Sequence, residues 1–86
     1  MTRSGALPGP ATETGSSADM LFYLGMMYCV GREVERNYVT AHKWFNIAAL
    51  KGSQAARAYR CKISRQMSAH EIAEAQRQAR DWISVH

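Results

Sequence analysis

Three groups of residues in this chain are of types that could do chemistry. The first is His70-Glu71 followed by Glu74, close to the spacing of a zinc-binding helix. Zinc on one helix needs two imidazoles four residues apart on a shared face, and position 74 holds Glu where the second His would stand. A helix-capping glutamate beside an exposed histidine is the simpler account. The second group is Cys29 with His42, a thiol and an imidazole that could act as nucleophile and base. Cys29 lies in an apolar run with no third group to orient the ring, so packing is again the simpler account.

The third group is cationic. Between Arg36 and His70 stand seven basic residues and no acidic one, within a net charge of +4. Arg57, Arg60 and Arg65, with Lys62, spread around one predicted helix. They read first as a solvated face, next as a surface for an acidic protein, and last as phosphate contacts, because no aromatics are interleaved for base stacking. No motif for a cofactor or metal is present, and the chain is expected to catalyse nothing.

The elements that must hold these residues are helical. Residues 1–17 contain both prolines and three of the six glycines, too little apolar content to offset the entropy of ordering, and are expected to form a disordered tail. Residues 18–86 are expected to fold as one small helical domain. From Asp19 to Val30, Leu21, Leu24 and Tyr28 with Gly25 follow helical spacing, with Asp19 as N-cap and Gly31 as stop. After a loop over 31–36, Asn37 caps a second helix in which Tyr38, Ala41, Phe45 and Ala48 form a stripe widened by Trp44 and Ala49. It ends at Gly52, with Lys51 in its last turn. Ser53 caps a third, with Ala56, Tyr59, Ile63 and Met67 inward. Ser68-Ala69-His70-Glu71 has the form of a capping box and starts a fourth, with Ile72, Ala75, Ala79, Trp82 and Ile83 inward. The fold class predicted is all-α, antiparallel helix-turn-helix pairs in a short α-α solenoid of about four helices.

The helices carry a faint internal echo. Ala41-His42-Lys43-Trp44 recurs as Ala79-Arg80-Asp81-Trp82, 38 positions on, and Tyr23 recurs as Tyr59 at an offset of 36. Residues 18–52 then read as one unit, and 53–86 as a degenerate second copy or closing helix pair. The stretch from Tyr23 to Gly52, with Leu24-Gly25, Tyr28, Gly31, Val34, Ala41, Trp44, Ala48-Ala49 and Gly52 at fixed spacings, resembles the Sel-one-like repeat, a tetratricopeptide-like family. It departs from the family pattern at Glu33, where a second loop glycine is usual, and at Asn37, where Asp is usual. The resemblance implies paired helices that bind other proteins. Cysteine-rich members linked to β-lactam binding carry regular disulfide pairs that this chain lacks, so that function is not carried over.

Composition also bounds the setting. No signal-peptide run or transmembrane span is visible, and Cys29 and Cys61 stand far apart like small apolar residues, so a reducing, cytoplasmic location is expected. Met1 and the closing helix read as a complete small protein. The function expected is that of an adaptor or scaffold binding a peptide or helix of a partner. The alternative is a small basic nucleic-acid-binding protein using Arg57, Arg60 and Arg65. With about three units usual in such arrays, the outer face of the first helix, with Phe22, Met26 and Cys29, is expected to self-associate or receive a partner. Met20, Met26 and Met27 read first as core filler and second as an adaptable surface.

Overall fold

The computed structural model describes residues 17–86. They form four helices, α1 (Ser17–Val30), α2 (Tyr38–Leu50), α3 (Gln54–Ser64) and α4 (Ala69–Val85), and no strand occurs among them. The fold is all-α, as the periodicity predicts. The expected tail over 1–17 lies outside the described residues except for Ser17, which is already helical. Asp19 therefore sits within the first turn, where its carboxylate meets the positive end of the helix dipole, instead of capping the helix.

The other boundaries follow side-chain chemistry. The Asn37 side chain accepts the Thr40 N–H at 3.1 Å and opens α2. Ser53 accepts from Ala56 N–H at 3.1 Å and opens α3. At α4 the capping box closes in both directions: Ser68 Oγ accepts from Glu71 N–H at 3.0 Å, and Glu71 accepts from Ser68 N–H at 2.8 Å. α2 stops one residue earlier than its pattern predicts, because Lys51 is the C-cap and not part of the last turn. Gly52 follows with φ +111°, and the Gly52 and Ser53 N–H groups reach the carbonyls of Ala49 and Ala48, closing the helix end in a Schellman motif.

α2 is the centre of the packing. Of its residues, Leu50 is exposed and the rest are buried or half-buried. α1, α3 and α4 all pack on it, whereas α3 barely touches α1. Ala41, Phe45, Ile47, Ala48 and Ala49 join Leu21, Ala56, Ile63 and Ala79 in one core. Of the positions that carry the resemblance, Gly25, Ala41, Ala48 and Ala49 are buried, and Leu24, Tyr28, Val34 and Trp44 half-buried. The echoed segments meet across α2 and α4: Ala41 and Ala79 are both buried, and Trp44 and Trp82 meet edge-on with ring centroids 5.6 Å apart. Ile83, expected inward, is 42% exposed, while its neighbour Trp82 is the residue of the last turn of α4 that packs on α2.

Two positions in the first helix pair are under tight constraint. A Cβ on Gly25 would stand 2.5 Å from Phe45 Cδ1 and Cε1, inside contact distance of a ring that is fully buried and has nowhere to go. Gly25→Ala is therefore expected to destabilise the fold by about 1–3 kcal/mol in chemical denaturation, against the gain alanine ordinarily brings to a helix. In the α1–α2 loop Glu33 adopts φ 65°, left-handed backbone that costs an L side chain on the order of 1 kcal/mol. Glu33→Gly should raise stability by about 0.5–1 kcal/mol in the same assay, and no gain there would mean that the loop conformation is not strained.

Candidate interaction surface

α1 has no charged side chain between Asp19 and Arg32, so its entire circumference is apolar. One side, Ala18, Leu21 and Gly25, is buried. Phe22 is held on a second side, its ring 5.9 Å from both Phe45 and Tyr59, while Phe45 stacks on Tyr59 at 5.7 Å. The remaining side is uncovered. Tyr23 is 65% exposed, Met20 62% and Val30 60%, and an open groove of about 570 Å³ runs along Phe22, Tyr23, Met26, Met27 and Val30 to a polar end at Arg32 and Glu33.

The exposed strip thus lies beside the residues expected from sequence. Phe22, Met26 and Cys29 are all half-buried and packed against the core, and of the three Phe22 and Met26 also line the groove. Met20 is no core filler, and Met27 contributes to the groove wall. The signal that marks the strip is the spacing of Met20, Tyr23, Met27 and Val30 at i, i+3, i+7 and i+10, a pattern parallel to that of Leu21, Leu24 and Tyr28 and no weaker. A smaller recess of about 380 Å³ lies between α1 and α4, floored by Leu21 and Leu24 and edged by Lys51, Trp82 and His86, whose ring stacks on Trp82 at 4.1 Å.

The basic residues do not converge. Arg60 reaches across to α2 and donates to Asn46 Oδ1 at 2.7 Å, which leaves Arg57 exposed on α3 and Arg65 exposed at its C-cap. Lys43 and Lys62 lie over the rings of Trp44 and Tyr59 at 4.4 and 5.2 Å. On α4 the carboxylate of Glu74 is held down to about 2 by hydrogen bonds from Arg77 and Gln78, and Arg77 also reaches Asp81 at 2.7 Å. Glu71 is engaged in the capping box, so the acidic residues beside His70 already have partners. Among the described residues, no group of three or more His, Cys, Asp or Glu stands together in a way that could hold a metal.

His42 and Cys29 do not meet. Only 2% of His42 is exposed, and its Nε2 lies 2.9 Å from Ser64 Oγ, whose own hydrogen goes to the Arg60 carbonyl at 2.8 Å. That chain requires the ring to donate from Nε2, and leaves Nδ1 a buried acceptor with no partner. Burial lowers the ring's affinity for a proton, and the nearby Arg60 lowers it further. Burial pushes the Cys29 thiol up, partly offset by Arg36 and Lys62, so the thiol is less reactive than a free one.

Among the described residues no helix is long and apolar enough to cross a membrane. No family model, curated protein or solved structure matches the chain.

The buried histidine gives a pH signature. An unfolded His protonates near 6.5, the folded ring only at lower pH, so between those values the unfolded chain binds the extra proton. Stability is full above about pH 6.5 and falls as the pH drops toward the folded value. Thermal midpoints from about pH 7.5 down to about pH 5 should decline, and His42→Leu should flatten the decline. Equal slopes in the two proteins would remove His42 as its source.

Proposed function

We propose that this chain is a protein–protein interaction module of the Sel-one-like repeat type, an adaptor or scaffold that receives a partner peptide or helix on its helical surface. The observation that carries the reading is the uncovered apolar groove along α1, bounded by Tyr23, Met27 and Val30 and presented on a helical frame. Exposed apolar surface of this continuity is costly for a small domain to keep unless something covers it. The half-buried Met26 and Met27 in the groove wall, with their soft, adaptable side chains, suit the face to a helical ligand.

Further support comes from the repeat positions. Gly25 lets α1 approach the Phe45 ring, and the α1–α2 loop takes left-handed backbone at Gly31 and at Glu33, the position where the family pattern has its second loop glycine. The nucleic-acid alternative has less behind it, since Arg60 is tied to Asn46 and Lys62 is drawn over Tyr59, leaving Arg57 and Arg65 as the freely presented arginines of the three expected contacts.

Capture with the purified chain as bait distinguishes the two. Partners retained through the groove should be lost with Tyr23→Lys, kept with Arg57→Gln/Arg65→Gln, and little changed when salt rises from about 0.1 to about 0.5 M. Capture that ignores Tyr23→Lys but collapses with salt would reject the groove and favour phosphate contacts.

A further inference from the structure

The seam between α2 and α3 has two polar rungs in an otherwise apolar contact. Arg60 donates to Asn46 Oδ1 at 2.7 Å, and one turn earlier on α2 His42 Nε2 meets Ser64 Oγ at 2.9 Å. The first rung is complete. The second leaves Nδ1 buried with no hydrogen-bond partner among the described residues. A proton added there creates a buried cation with a donor that has nothing to receive it, which the closed seam disfavours. The charge that acts on the ring is that of Arg60, itself a cation. α2 and α3 contain no acidic residue. On α4, Glu71 is engaged in the capping box, and Glu74 and Asp81 are held by Arg77. Asp19 of α1 belongs to the turn whose Ser17 and Met20 border Lys51 at the far end of α2, and Glu33 and Glu35 of the loop are exposed. Of the other cations, Lys43 lies over Trp44, and His70 is exposed at the start of α4.

We propose that α3 is an acid-released helix: protonation of His42 at Nδ1 detaches and melts residues 54–64 while α1, α2 and α4 stay packed together. The ring reaches water only if the α2–α3 seam opens, and α3 is the helix with least to hold it elsewhere. It packs on α2, touches α1 lightly and scarcely meets α4. Its own composition is weak support, since Arg57 and Arg60, and Lys62 and Arg65, stand three apart with no anion on the helix to offset them. The other contacts do not run through α3. α1 is joined to α2 where Phe45 meets Gly25, and α4 is joined to α2 through Ala41 with Ala79 and Trp44 with Trp82. α4 also has its capping box and the Glu74–Arg77–Asp81 ion pairs. Such uneven support is what lets one segment open below the global unfolding transition. Release takes Tyr59 away from Phe45 and from Phe22, and Phe22 lines the groove on α1. Acid therefore extends the apolar groove toward Phe45. That consequence for binding rests on the reading of the α1 face as an interaction surface, whereas the release itself does not.

Amide hydrogen exchange of the purified chain, resolved by segment and expressed as protection relative to the unstructured rate, reads the release directly. Between about pH 7.5 and about pH 5, protection of residues 54–64 should fall on the order of tenfold, with little change in α1, α2 and α4. The fall should be absent in His42→Leu, and in His42→Gln, which keeps a neutral donor for Ser64 and cannot take the proton. In the unaltered chain the His42 ring resonances should titrate with the same midpoint as the loss of α3 protection. Fluorescence of the apolar dye 8-anilinonaphthalene-1-sulfonate should rise over the same range, and not in the variants. Protection of α3 that survives at about pH 5, protection lost from all four helices together, a fall that persists in both variants, or a ring that titrates apart from α3 overturns the inference. None of these measurements involves a partner, so such a failure leaves the interaction reading standing, and a capture experiment that rejects the groove leaves the release standing.

Discussion

The close approach of the Phe45 ring to the backbone of Gly25 is the contact on which the rest of the structure depends. Phe45 is fully buried, lies against α1 through Gly25 and Phe22, and stacks on Tyr59 of α3. One side chain thereby fixes three helices, and it does so only because position 25 has no Cβ. With α1 drawn in that far, its Ala18, Leu21 and Gly25 side is committed to the core. Phe22 is committed to the aromatic cluster, and the strip with Tyr23, Met27 and Val30 is left facing outward.

The central place of α2 follows from small residues on several of its faces. Ala48 and Ala49 belong to the core it shares with α1 and α3, while Ala41 is matched by Ala79 on α4. Helices meeting through alanines can approach closely, and the large rings then fill the margins, as Trp44 and Trp82 do edge-on. The same closeness encloses His42. Its Nε2 finds Ser64 because α3 crosses there, and the buried Nδ1 has no hydrogen-bond partner among the described residues. A buried imidazole with half its hydrogen-bonding capacity unused makes the α2–α3 contact sensitive to acid.

Much of this architecture is legible in the residues. Helix starts at Asn37, Ser53 and Ser68 and stops at Gly31 and Gly52 rest on local chemistry, which tertiary context did not override. The buried stripes of α3 and α4 are legible because polar residues mark their opposite sides, and of the positions expected inward Ile83 is the exposed one. α1 is the contrary case. Apolar on every side, it contains no contrast from which periodicity can choose a face, so Phe22, Met26 and Cys29 are as eligible for the surface as Met20, Tyr23 and Val30. The choice is made by Gly25, whose partner is twenty positions away, and by Tyr59, farther still. The burial of His42 is hidden for the same reason, since its partner Ser64 is twenty-two positions on.

The composition of the core links the surface to stability. Among the buried apolar residues, alanines outnumber Leu21, Phe45, Ile47 and Ile63 together. Alanines permit close packing but remove little apolar area from water, so each contributes far less than a buried leucine or phenylalanine. The larger side chains that could add area stand instead on the outer strip of α1, where Met20, Tyr23 and Val30 remain in solvent. Covering that strip would bury the kind of surface the core lacks. An occupant that binds the folded chain and not the unfolded one stabilises the fold as it binds, by mass action. The exposed side of α1 is therefore a stability deficit when bare and a source of binding free energy when filled, and both follow from the same uncharged run between Asp19 and Arg32.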